Sequence, residues 1–341
     1  MPVAADAHDD AAGDGARNVP VAADAHDDAA GDGARNVPVA ADADDEAAAT
    51  GGRDWTAVAH RRHPTRVCEA VGWMAAVTRS QLAQDLRDLG LRPGGVLMIH
   101  ARMSALGWVV GAAETVVHAL RDALGPEGTL VAYASWEEHV YQAAEWPAEH
   151  VAAYRAEPPA FDPALSEAVR DHGRVPERLR TWPGAHRSAH PEASVVALGP
   201  RAHELTRDHP ERDGYGRDSP FARVVAADGQ VLLLGAPLET LTLLHHAEAI
   251  AAVAGKRTVT FTVEVAGAGP RTYTDIDTTA GAYRYADLGL PEDTDPFEVI
   301  ARAALAAGVG TTGRVAAAEC HLFDAVALTA FAVAWIEERF A

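Results

Sequence analysis

In VTRSQLAQDLRDLG, residues 77–90, leucines stand at 82, 86 and 89, the spacing of one helical face, and Gly90 can end the helix. The period then changes. GGVLMIHA (94–101) is a short apolar run that predicts a strand, and AAETVVHALRDALG (112–125) predicts an amphipathic helix closed by glycine. GTLVAYAS (128–135), ASVVALG (193–199) and GQVLLLGA (229–236) read as three more strands. TLTLLHHAEAIAAVAG then predicts a helix with Thr240 or Thr242 as its N-cap and Gly255 just past its end. RTVTFTVEV (257–265) and PRTYTDIDT (270–278) alternate with period two and are joined by a glycine-rich turn. PFEVIARAALAAG (296–308) predicts another helix, and LTAFAVAWIEERF (328–340) closes the chain. Such alternation predicts an α/β/α sandwich around a central mixed β-sheet.

The pattern before residue 53 is different. PVAADAHDDAAGDGARNV runs from Pro2 to Val19, recurs unchanged from Pro20 to Val37 and restarts at Pro38. A period of 18 fits no solenoid unit, and the repeat has almost nothing large and apolar to bury. Residues 1–52 are therefore expected to be a disordered acidic tail, 53–76 a linker or irregular segment, and 77–341 the folded domain. The tail changes the meaning of the net charge of −20, because residues 1–50 hold 12 acidic side chains against 2 arginines and so carry half of it. The acidic remainder argues against nucleic acid as a partner and suits a cationic small molecule. Cys68 and Cys320 lie far apart, in neither a disulfide framework nor a zinc motif, so a reducing cytoplasm is expected. No apolar stretch is long enough to cross a membrane, and the N-terminus lacks the basic start and apolar centre of a secretory signal.

Candidate chemistry clusters at a few junctions. On a helix His245 and Glu248 share a face at i and i+3, so the carboxylate can hold one tautomer of the imidazole. The same spacing also describes a core histidine beside a surface glutamate. HRSAHPEAS holds Arg187 and His190 in a loop that Pro191 makes extended at the edge of a strand; Arg187 could serve a phosphate and His190 a proton, or both could be solvated. HARMSALGWVVGAAET (100–115) follows a strand and opens a helix, a turn able to present N–H groups to a pyrophosphate, although it is neither a dinucleotide nor a Walker sequence. Glu137, Asp218, Asp275 and Asp277 place carboxylates in loops or at strand ends, where they could bind a polyamine or simply form turns. H-E-x-x-H and G-x-S-x-G are absent, which leaves metal and serine-hydrolase chemistry unsupported.

Taken in order, GVLMIHARMSALGWVVGAAETVVHALRDALGPEGTLVAYASW, FDPALSEAVRDHGRVPERLRTWPGAHRSAHPEASVVALGP, GYGRDSPFARVV and GQVLLLGAPLETLTLLHHAEA resemble the aminoglycoside 3-N-acetyltransferases over about residues 77–340. The resemblance implies the antibiotic N-acetyltransferase fold and transfer of an acetyl group from acetyl-coenzyme A to the 3-amino group of a 2-deoxystreptamine antibiotic, without a metal. It implies His245 as general base with Glu248 as its partner and His190 in support. It also implies coenzyme A contacts from His100, Arg102, Met103, Ser104 and Arg187, and substrate contacts from Glu137, Asp218, Asp275 and Asp277. A backbone N–H, Thr242 or His190 would serve the oxyanion. Where the family often has two hydroxyl residues after the first histidine, this chain has Ala101 and Arg102. Two other functions share these features: acetylation of a different amine, and silent binding of coenzyme A or a polyamine. The expected assembly is a monomer or homodimer.

Overall fold

The computed structural model describes residues 75–136, 140, 143, 146–290 and 294–340; the repeat, the segment 53–74, Cys68 and Glu137 lie outside the described residues. Among these, twelve strands occur: β1 (Ala76–Val77), β2 (Val96–Ala101), β3 (Trp108–Val109), β4 (Thr129–Tyr133), β5 (Ala160–Phe161), β6 (His186–Arg187), β7 (Val195–Leu198), β8 (Gln230–Leu234), β9 (Thr258–Val265), β10 (Gly269–Ile276), β11 (Gly310–Val315) and β12 (Ala318–Asp324). Seven form one mixed sheet in the order β11-β12-β8-β2-β4-β7-β6. β2 is parallel to both β4 and β8, whereas the outer pairs are antiparallel.

Alternation along the four central strands divides the core into two layers. Val96, Met98, Val131, Val195, Ala197, Val231 and Leu233 face one way, packed with side chains of the helices Pro220–Ala226, Leu243–Ile250, Pro296–Ala306 and Ala325–Phe340. Leu97, Ile99, Leu130, Ala132, Val196, Leu198, Leu232 and Leu234 face the other, against Arg79–Leu89, Ala112–Leu124 and Arg174–Arg180. Each fully buried aliphatic side chain contributes about 1.5–3 kcal/mol, so two enclosed faces make the α/β/α sandwich the stable solution. A smaller sheet, β10-β9-β5, covers a third cluster of Trp136, Phe161, Phe261, Val263 and Tyr273.

The helix Arg79–Leu89 ends as its sequence predicts: Thr78 and Gln81 form a capping box, and Gly90 closes it at φ 107°. Some details differ from expectation. Ala76, just before the expected domain, already pairs with Trp108. The helix that carries His245 spans only Leu243–Ile250, so Gly255 does not cap it. Its end is set from outside, where Ala252 N–H donates to Glu337 Oε1 (2.7 Å) and Lys256 Nζ donates to the Ala249 carbonyl (2.5 Å). Thr242 stands at the N-cap, one of the two expected positions, but makes no side-chain cap bond: the hydroxyls of Thr240 and Thr242 donate to the carbonyls of Pro237 and Thr240. The β11–β12 hairpin, finally, escapes the apolar pattern; its partly exposed residues become a sheet edge only by pairing with β8.

Gly235 follows β8 at φ +66°, and a Cβ there would stand 2.7 Å from the Ala105 Cβ and 3.0 Å from the Ala318 Cβ. Gly235→Ala therefore combines a disfavoured backbone with a clash, and is expected to lower unfolding free energy by about 1–3 kcal/mol in urea titrations. Parent-like stability would show that the turn yields freely.

Candidate active site

The parallel strands β2, β4 and β8 end at Ala101, Tyr133 and Leu234, the side of an α/β sheet where ligand crevices form. Beyond β8 the chain enters the helix Leu243–Ile250, which brings His245 Nδ1 to 2.8 Å from Glu248 Oε2. A carboxylate only accepts, so Nδ1 carries the hydrogen and Nε2 keeps a basic lone pair. The imidazole side chain is 19% exposed and Glu248 only 1%. Tyr215 and Phe297 hold the ring, with centroids at 5.1 and 4.6 Å. Glu248 Oε1 accepts a hydrogen bond from the Tyr285 hydroxyl at 2.7 Å, and the Glu248 main-chain carbonyl accepts one from Tyr283 at 2.9 Å. Burial and the neighbouring Glu248 hold both phenols well above their ordinary range, so they remain donors.

A second polar cluster lies inside the protein. His190 is fully buried, with Nδ1 accepting from Ala193 N–H (2.9 Å) and Nε2 3.2 Å from Asp275 Oδ2. This last pair is close enough to attract but not aligned as a hydrogen bond. Asp275 Oδ1 accepts from Gly214 N–H at 2.5 Å. His209 stacks on His190 at 4.8 Å and bonds Ser188 and the Gly214 carbonyl; burial first, and His190 second, push its pKa well down. Glu192 is enclosed nearby, its carboxyl pushed well above the usual range by burial and then by Asp275. The Tyr133 hydroxyl lies 2.8 Å from that of Tyr215, whose ring touches His245.

The expected residues thus divide. His245 and Glu248 meet as the sequence predicts, and Glu248 is buried, not on the surface. Four other expected residues have partners within the protein. His190 and Asp275 are internal partners, both buried, with Gly214 bonded to Asp275 and His209 beside His190. Asp277 forms a turn, accepting from the N–H groups of Thr279 and Ala280. Arg187 is an internal clamp: it donates to the carbonyls of Ser166 and Ala134 and to Ser194 Oγ, and lies over the Phe161 ring. Burial, then Arg180, lowers its pKa to about 10.

Asp218 is exposed. Arg102 and Ser104 are exposed and 3.3 Å apart, Met103 is partly buried, and Arg102 lines a cleft of about 400 Å³ with Glu239, Glu298 and Arg302. His100 lies near the end of β2, its Nε2 buried without a hydrogen-bond partner among the described residues. Burial, then His172, holds its pKa down to about 3. A wider cleft of about 600 Å³ opens at the N-terminus of Ala112–Leu124, lined by Gly111, Ala112, Arg170, Gly173, Arg174 and Arg178. Gly173 sits against the Ala101 carbonyl, placing this cleft at the end of β2. Among the described residues no group of three or more His, Cys, Asp or Glu could hold a metal ion, and no helix is long and apolar enough to cross a membrane.

The sequence reading missed Tyr285, Tyr215, Glu192 and Arg174. Only Arg174 left a local signal, as one of several arginines in VRDHGRVPERLR. The tyrosines meet their partners across about 30 or more positions, beyond any periodicity.

Residues 98–337 match the aminoglycoside 3-N-acetyltransferase family. Aminoglycoside N(3)-acetyltransferase VIII of Streptomyces fradiae is 54% identical over 267 residues, which cover 77% of this chain and 93% of that protein. Aminoglycoside N(3)-acetyltransferase III of Pseudomonas aeruginosa is 43% identical over 77% of this chain and 94% of its own length. Among solved structures, aminoglycoside acetyltransferase AAC(3)-Xa superposes with a TM-score of 0.74 at 48% identity, covering 81% of this chain and 97% of that one. The binary complex of AAC-IIIb with CoASH gives 0.71 at 45% identity, covering 78% and 98%. The chain belongs to the aminoglycoside 3-N-acetyltransferase family.

Two outcomes test the internal assignments. Arg187→Met removes the donor to the Ser166 carbonyl and one of the two donors to the Ala134 carbonyl, so stability should fall by about 1–3 kcal/mol while the KM for acetyl-coenzyme A stays within about twofold. A large KM rise in folded protein would return Arg187 to the ligand. Unfolded His100 takes a proton near pH 6.5, whereas the folded residue resists it to about pH 3, so stability should decline as pH falls from about 6.5 toward 3. His100→Gln should weaken that decline between pH 7 and 5 in urea unfolding; an equal decline would discount the residue.

Proposed function

We propose that the chain transfers the acetyl group of acetyl-coenzyme A to the 3-amino group of a 2-deoxystreptamine aminoglycoside, with His245 as general base oriented by Glu248. The observation that carries this reading is the partly exposed imidazole whose Nδ1–H is fixed on a buried carboxylate, leaving Nε2 to accept a proton. An alkyl ammonium with a lysine-like pKa of about 10.4 is only about one part in 10³ unprotonated at neutral pH, a barrier of roughly 4–5 kcal/mol before attack. Acidic surroundings that attract the polycation also stabilise this unreactive form. An imidazole held in one orientation can remove the proton where the amine meets the thioester.

The amine nitrogen bonds to the thioester carbonyl carbon while its proton passes to Nε2. The carbonyl electron pair moves to oxygen, then returns as the C–S bond breaks, and the sulfur leaves as the thiol after taking up a proton. The cleft at the N-terminus of Ala112–Leu124 suits the phosphates of coenzyme A, because helix N–H groups and Arg174 face it and no carboxylate pairs with Arg174 among the described residues. Carboxylates such as Glu114 and Glu167 share that lining and are held by Arg178 and Arg170. Asp218, exposed in its loop, is the carboxylate of the expected set best placed to meet the antibiotic. The reaction belongs to residues 77–341 without the acidic repeat, and to the cytoplasm, where acetyl-coenzyme A is available.

With acetyl-coenzyme A and a panel of aminoglycosides, purified protein should release free thiol, and His245→Ala should lower kcat by about 10²–10⁴-fold. No release with any antibiotic would defeat the assignment; near-parental turnover by His245→Ala would remove that residue from the chemistry.

A further inference from the structure

Glu248 is buried, and both its oxygens are engaged: Oε2 by His245 at 2.8 Å and Oε1 by Tyr285 at 2.7 Å. The second bond comes from outside the helix. Tyr285 belongs to a short 3-10 segment, Tyr285–Leu288, in the stretch between β10 and the helix Pro296–Ala306. It is itself buried, with its ring edge-on to Phe340 at 5.4 Å and to Tyr283 at 6.2 Å. Tyr283 donates to the Glu248 backbone carbonyl and not to the carboxylate. Two adjacent phenols thus hold one residue in two ways: one fastens the main chain, the other touches the acid itself.

The geometry points to Tyr285 as a positioning residue that sets the proton affinity of His245 through Glu248, an inference that rests on His245 being the general base. A donor on Oε1 draws charge away from the oxygen facing His245, which weakens the pull of the carboxylate on the imidazolium. It also fixes the carboxylate plane, and through it the direction of the Nε2 lone pair. Burial and Glu248 keep the Tyr285 phenol protonated, so the donor persists across the working pH range. Other groups face the pair: Asp295, the N-cap of Pro296–Ala306, lies close enough to feel both; Lys256 acts on Glu248; and Tyr215 lies against the His245 ring. Substitution at 285 leaves these in place.

The test is the pH profile of kcat/KM for thiol release, parent against variants, so that ionisation of the substrate cancels. Removing the donor by Tyr285→Phe should raise the proton affinity of the His245–Glu248 pair and move the acid limb up by about one unit. At the plateau kcat should fall about tenfold, with the aminoglycoside KM within about twofold, because the hydroxyl faces Glu248. Tyr283→Phe loosens the same segment without touching the carboxylate and should leave the limb unmoved. Should Tyr285→Phe fail to fold, 3-fluorotyrosine placed at position 285 keeps the ring and strengthens the donor, and the limb should then move down. An unmoved limb in the folded 285 variant, or equal shifts at 283 and 285, would overturn the inference. If His245→Ala abolishes turnover while the limb stays put, only the role of Tyr285 fails; if His245→Ala stays active, the general base itself is lost.

Discussion

A carboxyl group enclosed in protein is tolerated only when its oxygens are bonded, and Glu248 meets that condition with two partners from different parts of the chain. His245 lies one turn away on its own helix; Tyr285 arrives from beyond the β9–β10 hairpin. Around this group the helix Leu243–Ile250 must be short, so that the chain after Ala251 can turn toward Glu337 and Lys256. The long C-terminal helix must lie alongside, since Phe340 supports both tyrosines. The packing of one layer of the sandwich is thus arranged about one acid.

The sheet gives that acid its position. Three parallel strands in the middle supply a common end where chains leave the core, and antiparallel strands flank them on both sides. One departing chain leads to His245, and another leads through Arg102 to the cleft at the start of Ala112–Leu124. The proposed base and the proposed phosphate site therefore follow neighbouring strands, whose spacing is fixed by backbone hydrogen bonds.

Much of this was legible in the sequence, for local reasons. β2, β4, β7 and β8 are buried on both faces and so read as apolar runs, and His245 with Glu248 is a spacing within one helix. The rest depended on distant partners. β11 has glycine, threonine and arginine on view and is a strand because β12 is beside it. His190 lies in a polar, proline-containing stretch that looks solvated, yet β10 and His209 cover it. Arg187 looks like a phosphate ligand, and its bonds to the Ser166 and Ala134 carbonyls have no signal in the sequence. Residue type announces what a side chain can do; only the fold decides which partner reaches it first.

The enclosed Glu192 has a bearing on how the interior tolerates acid and base. Its carboxyl is held well above its ordinary range, so folding favours the protonated acid, and stability drains away as pH climbs from the unfolded value near 4.5 toward the folded one. The buried histidines His100, His209 and His246 resist protonation, so their contribution drains in the opposite direction, as pH drops below about 6.5. The two demands are satisfied under different conditions, and no single acidity leaves every enclosed group at ease. An interior built this way carries a permanent compromise, and the neutral medium in which a cationic antibiotic must be captured lies on the side that favours the imidazoles.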